Sequence, residues 1–261
     1  MAVVHDTFAR RIRLQHLHRR DAAGLFVVPL DHSVTDGPIV RAGQLDRLVG
    51  QLADGGADAV VLHKGALRHV NSRWFRSMSL IVHLSASTTM APDPDAKVLV
   101  CDAEEALRLG AHAVSVHVNL GAATEARQLE DLARVAGDCD RWGVPLLAMV
   151  YPRGPQIADG RAPELVAHAI TLAADLGADL VKTSLPRSPA AVAAIVADCP
   201  VPVLAAGGGA GDDVLPHLAD VMRAGAGGVA VGRLVFTAPD PAAMVRRVAA
   251  VVHDRTPAVA R

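Results

Sequence analysis

Apolar residues are spread unevenly along this chain. They collect in eight short, nearly unbroken runs: Leu25–Leu30, Ala57–Leu62, Ser79–Leu84, Ala113–Val118, Val144–Val150, Asp179–Thr183, Val201–Ala206 and Gly228–Val231. A run such as Leu-Phe-Val-Val-Pro-Leu lacks the alternation of a strand with one wet face. It reads as a strand covered on both sides, as in a parallel sheet flanked by helices. Amphipathic segments with helix punctuation separate the runs. Asp102 and Glu105 make a capping box for a helix that ends near Gly110. Pro163 and Pro189 stand at the first positions of two more, and the last helix is expected from about Asp240 to His253.

A weak repeat runs through the chain. Gly-Ala precedes every second run, at Gly56, Gly110, Gly177 and Gly225, where glycine suits a left-handed helix C-cap. Val-Pro pairs open the runs at Val144 and Val201. Eight strand-helix units in 261 residues, with no Gly-, Ser- or Pro-rich linker, predict a single α/β domain over residues 1–261, a (β/α)8 TIM barrel. A doubly wound sheet accounts less well for the eighth unit and the even spacing. Residues 1–24 precede the first strand. Their basic stretch, Arg10–Arg20, reads as a solvated helix that closes the barrel bottom or meets a neighbouring subunit.

Composition removes several function classes. With 26 basic and 27 acidic side chains, and no aromatics interleaved in the basic stretch, neither nucleic acid nor an anionic membrane is an expected partner. No run approaches the ~20 apolar residues of a membrane span, and no signal peptide opens the chain, so the cytoplasm is the expected compartment. The three cysteines, Cys101, Cys139 and Cys199, are too scattered for a disulfide framework or a zinc site. Among twelve histidines none forms a helix-spaced pair beside a carboxylate; His83 and His117 read as packed or hydrogen-bonded. Neither metal nor cofactor is therefore expected. Of the 26 basic residues only Lys64, Lys97 and Lys182 are lysines, so a lysine retained inside an apolar run asks for a reason.

In such a barrel the chemistry sits at the carboxyl ends of the strands, where polar residues interrupt these runs. Lys182 lies within Asp-Leu-Val-Lys-Thr-Ser, its neighbours Val181 and Thr183 pointing the other way. An unpaired ammonium buried there is expensive, which favours the nucleophilic free amine and Schiff-base chemistry on a carbonyl. A lysine paired to a carboxylate or phosphate is the alternative. Tyr151, the single tyrosine, ends the fifth run as a proton donor or an aromatic lid. Asp31 ends the first run as a base, a partner for Lys182, or a loop-fixing residue, with His32 beside it to orient. Gly207-Gly208-Gly209 and Gly232-Arg233 follow the last two runs, the usual phosphate position, although the glycines lack a dinucleotide fingerprint. Lys64 and Lys97 are secondary substrate-binding candidates; for Lys97, in a polar loop, a solvated side chain is the favoured reading.

Five segments carry a resemblance over nearly the whole chain: Pro29-Leu-Asp-His-Ser-Val-Thr-Asp-Gly-Pro38, Leu62-His-Lys-Gly65, Ala148-Met-Val-Tyr-Pro-Arg-Gly154, Val181-Lys-Thr183 and Gly228-Val-Ala-Val-Gly-Arg233. In these it resembles the archaeal-type class I aldolase family. Ser85–Val100 and Ala113–Asn119 are most similar to the branch that uses aspartate semialdehyde. The resemblance implies a metal-free Schiff-base aldolase with Lys182 as nucleophile, Tyr151 as proton donor and Asp31 as proton acceptor. It implies phosphate binding at Gly207, Gly208, Gly232 and Arg233, with His32, Ser33, Val34, Thr35, Pro152 and Arg153 lining the donor. The implied partners are a small phosphorylated ketose donor and an aldehyde acceptor: dihydroxyacetone phosphate and L-aspartate 4-semialdehyde, on a route to an aminohydroxybenzoate. Family members commonly form homo-oligomers. The other readings are a transaldolase-like synthase using 6-deoxy-5-ketofructose 1-phosphate, a fructose-bisphosphate aldolase, and a non-covalent phosphosugar-binding barrel or acyltransferase-type relative.

Overall fold

All eight apolar runs become staves of one closed parallel barrel. The computed structural model describes residues 7–18, 24–41, 43–207 and 214–253. Its strands are β1 (Leu25–Pro29), β2 (Ala59–Leu62), β3 (Ser79–His83), the short pair β4 (Ser85–Ala86) and β5 (Val98–Leu99), β6 (Ala113–Leu120), β7 (Leu146–Pro152), β8 (Leu180–Thr183), β9 (Val203–Ala206) and β10 (Gly228–Ala230). The barrel closes in the order β1-β10-β9-β8-β7-β6-β3-β2, and β4 and β5 pair antiparallel outside it. The helices are α1 (Phe8–Leu17), α2 (His32–Thr35), α3 (Leu45–Gly55), α4 (Ala103–Arg108), α5 (Glu125–Trp142), α6 (Pro163–Asp175), α7 (Pro189–Ala197), α8 (Val214–Arg223), α9 (Arg233–Phe236) and α10 (Pro241–His253). Eight parallel strands closed into one barrel, with helices between them, make a single-domain (β/α)8 barrel.

Local signals explain the helix ends. The Asp102 side chain accepts from the Glu105 amide at 2.7 Å, and Pro163 and Pro189 open α6 and α7. Gly56, Gly110, Gly177 and Gly225 all hold positive φ, from 89° to 106°, where any Cβ is strained. Several strands start later than the apolar runs suggest. Pro145 and Pro202 bring no N–H to the ladder. Asp58 and Asp179 instead offer side chains to neighbouring amides, at Phe26 and Leu146, each at 2.8 Å. The regular repeat fails in two places. Two 3-10 turns, Lys64–His69 and Ser72–Arg76, replace the helix after β2, held down where Asp46 accepts from the Asn71 amide and the Trp74 indole. After β3 the chain leaves the barrel: the Leu84 amide reaches Ser115 O, the Val100 amide reaches Leu84 O, and the β4–β5 hairpin forms between them.

Alternation divides the core in two. Val181, Val60, Val82 and their like pack outward under the helices. Leu25, Val27, Ala59, Val61, Ile81, Ala113, Leu147, Met149, Leu180, Leu204 and Ala230 fill the barrel itself. Helix α1 plugs the lower end: Leu17 is fully buried among the inner residues, Arg10 meets Asp179 at 3.3 Å, Arg13 donates to Gly143 O, and Ser79 donates to His16 O. The amino ends of the strands are thereby sealed, and the open mouth is at their carboxyl ends.

Candidate active site

Follow the inward-facing residues up each strand and the apolar filling gives way to polar groups. Ile81 is succeeded by His83, Ala113 by Ser115 and His117, Met149 by Tyr151, and Leu180 by Lys182. His83, His117, Tyr151 and Lys182, with Asp31, His32, Thr35 and Asp36 above β1, Ser85, Ser87 and Lys97 from the hairpin, and Arg153 after β7, line one cavity of about 250 Å³. Gly207, Gly232 and Arg233 close its other side. A larger open cleft of about 570 Å³, between Pro38–Arg47 and Phe236–Pro241, brings together no comparable set of titratable groups.

Lys182 is buried, with its Nζ 3.8 Å from the Met149 sulfur and 6.0 Å from the Tyr151 ring centre. It makes no ion pair among the described residues. Asp31 stands across the mouth, its Oδ2 3.8 Å from His83 Nε2 and its Oδ1 3.7 Å from His32 Nδ1. Asp31 Oδ1 and His32 Nδ1 are both buried without a hydrogen-bond partner, which a native protein tolerates chiefly where a ligand or water is to bind. Asp31 does not cap α2 with its side chain. Burial by itself would raise the Asp31 carboxyl; the surrounding His83, Lys182, His32 and His63 outweigh it and hold the group well below the usual carboxylate range. Burial pushes His83 down to about 4 and His117 well below its ordinary value, so both imidazoles are neutral at pH 7. His83 shares a hydrogen bond with Ser115 Oγ at 2.8 Å, and His117 with Asn119 Oδ1 at 2.9 Å.

The glycines matter through close approach. A Cβ at Gly232 would stand 2.2 Å from the Pro29 carbonyl oxygen and 2.9 Å from His32 Cε1, so only glycine lets this turn lie against β1. Gly207 lines the cavity, but its amide is already donated to Ala230 O at 3.1 Å and is not free for an anion.

Several residues lie elsewhere than the sequence suggests. Ser33 and Val34 are exposed on the far side of α2 and do not line the cavity, because one helical turn shows only His32 and Thr35 to it. Pro152 lines a neighbouring hollow instead, since alternation turns it away from the barrel after Tyr151, whereas Arg153 lines both the hollow and the cavity. Lys64 is outside the cavity, bound to Glu105 at 2.8 Å beyond the end of β2. Lys97 is not solvated but buried, because the hairpin folds it back over the mouth. Gly208 falls outside the described residues. His83 and His117, which read from the sequence as packed or hydrogen-bonded, line the cavity, and so does Lys97. For the two histidines a signal existed: they share the strand parity of Ile81 and Ala113. Among the described residues no group of three or more His, Cys, Asp or Glu is placed to hold a metal ion.

Residues 25–238 match the family model for DeoC/LacD family aldolases. The chain belongs to this aldolase family. Within the family, it is 59% identical over 250 residues to the 2-amino-4,5-dihydroxy-6-oxo-7-(phosphonooxy)heptanoate synthase of Streptomyces griseus, covering 95% of this chain and 91% of that protein. It is 40% identical to a 2-amino-3,7-dideoxy-D-threo-hept-6-ulosonate synthase of Archaeoglobus fulgidus, over 87% of this chain and 85% of the relative. Among solved structures it superposes, with a TM-score of 0.83, on an archaeal fructose-1,6-bisphosphate aldolase whose catalytic lysine is bound to a carbinolamine intermediate. That pair is 30% identical, over 94% of this chain and 99% of the other. Aldolases of this Schiff-base type need no metal to stabilise the carbanion, since a protonated imine does so.

Proposed function

We propose that this class I aldolase joins dihydroxyacetone phosphate to L-aspartate 4-semialdehyde, giving 2-amino-4,5-dihydroxy-6-oxo-7-(phosphooxy)heptanoate. The observation that carries the reading is Lys182, a buried lysine in a polar cavity with no ion partner among the described residues, in a chain with 59% identity to the Streptomyces synthase. The Lys182 amine adds to the ketone carbon of the donor, and loss of water leaves an iminium. Removal of a proton from the donor's hydroxymethyl carbon gives the enamine, whose carbon attacks the aldehyde. The aldehyde oxygen takes up a proton, and water then releases the product and the free amine. No atom is lost between substrates and product.

Tyr151 stands beside Lys182 and is suited to carry the proton to and from the carbinolamine oxygen. Asp31, kept ionised across the mouth, is suited to accept one. Arg233 and the turn at Gly232 offer the donor phosphate a cation and a backbone it can approach closely. The test is borohydride reduction with dihydroxyacetone phosphate, followed by peptide mass mapping. The expected adduct lies on Lys182, and Lys182→Met abolishes it while lowering kcat/KM on the order of 10³-fold or more. An adduct only with 6-deoxy-5-ketofructose 1-phosphate moves the donor to that sugar. No adduct with either removes the covalent mechanism.

A further inference from the structure

Lys97 has no part in the imine chemistry, yet it is the second of the chain's three lysines to be buried in this cavity. The hairpin places it there. β4 and β5 pair through Ser85 with Leu99 and Ala86 with Val98, and the turn between them swings the side chain inward while Val98 is exposed. Its Nζ donates to Ser87 Oγ and, at 3.2 Å, to the Pro94 carbonyl. Both partners are neutral, and Lys97 makes no ion pair among the described residues. Burial, and then the Arg153 guanidinium on the same cavity wall, push its pKa down against the opposite pull of Asp95, Asp31 and Asp36, so the buried ammonium is held at some cost. Among the described residues Arg153 pairs with Asp95 at 3.7 Å, and its guanidinium lies 5.7 Å from the Tyr151 ring centre. An anion arriving between Lys97 and Arg153 would relieve that cost.

Position says which anion. In the closed barrel β3 stands across from β9, and β6 across from β10. The hairpin follows β3, so Lys97 faces the cavity from the side opposite Gly207, Gly232 and Arg233. Arg233 with Gly232 and Lys97 therefore stand at opposite ends of one cavity, with Lys182 between them on β8. We propose that Lys97, supported by Arg153, binds the carboxylate of the aldehyde acceptor and so selects carboxylate-bearing aldehydes. This rests on the condensation proposed above and adds to it the acceptor's anchor.

The test compares three acceptors with dihydroxyacetone phosphate as donor: L-aspartate 4-semialdehyde, succinic semialdehyde and propanal. The variants are Lys97→Met and Lys97→Gln, the second keeping donors for Ser87 and Pro94 should the first fold poorly. For both carboxylate-bearing acceptors, kcat/KM is expected to fall at least tenfold more than for propanal, mostly through KM. Borohydride trapping of the donor on Lys182 should proceed as in the wild type. Equal losses for all three acceptors, or no loss for any, would overturn the assignment and leave Lys97 a hairpin pin. A wild type that uses succinic but not aspartate semialdehyde would overturn the proposed product while supporting the carboxylate site. A wild type that condenses none of the three removes both.

Discussion

The polar groups around Lys182 are held in different charge states by one shared environment. Burial favours the neutral form of each, yet Asp31 stays ionised, because in acid the surrounding imidazoles take up protons before it does and, with Lys182, oppose its protonation; His83 by contrast has lost its proton at pH 7. That difference makes the protein's acid limb predictable. Between about pH 6.5 and about 4, an unfolded His83 binds a proton that the folded one refuses. The unfolded state then carries more protons, so stability falls as pH drops through this window. At about 1.4 kcal/mol per pKa unit the effect is on the order of 3 kcal/mol. Asp31 works in the same direction only at lower pH: its contribution is present above the ordinary carboxylate value and is lost below it. In urea titrations at pH 7 and pH 4.5, His83→Asn should lose clearly less stability on acidification than the wild type. Equal losses would mean that His83 is not the group that titrates.

At the level of elements, glycines are used in two physically distinct ways, and alanine substitution separates them. Gly110 ends the turn after α4 with φ at 89° and open space where a Cβ would go. Gly110→Ala therefore meets conformational strain alone, about 1 kcal/mol. That is a fall in Tm of roughly 2–4 °C with unchanged kinetics. Gly232 has an ordinary φ of −98°, but a Cβ there would run into the Pro29 carbonyl and His32. Gly232→Ala should cost about 1–3 kcal/mol and, because the turn belongs to the cavity wall, raise KM for the phosphorylated donor. Thermal melts and donor titrations on the two variants check both statements. A Gly232→Ala enzyme with wild-type donor KM would detach this turn from the phosphate.

Across the whole molecule, stability and chemistry occupy opposite ends of the barrel. The lower end is plugged by α1, with Leu17 completely buried against the inner apolar residues. Leu17→Ala removes that plug's largest apolar contact and should cost roughly 2–5 kcal/mol, read as a lower urea midpoint. Imine trapping at Lys182, at the upper end, should be as fast as in the wild type under native conditions. Slower trapping would show that the lower layers position the lysine.

Much of this arrangement is legible in the chain. Both-face burial writes the strands as continuous apolar runs, left-handed caps demand glycine at Gly56, Gly110, Gly177 and Gly225, and a two-residue period commits Lys182 to the barrel interior. These are local consequences of backbone geometry, so they follow from residue order alone. What the tertiary structure decided depends on contacts between distant segments. Lys97 looks like a loop residue until the hairpin pairs Ser85 with Leu99 and buries it. Lys64 looks like a substrate ligand until Glu105, on another element, claims it. Gly207 looks like an amide donor until the Ala230 carbonyl, one strand away, takes the hydrogen. The period of a strand fixes which way a side chain points, but only the closed barrel fixes what it then meets.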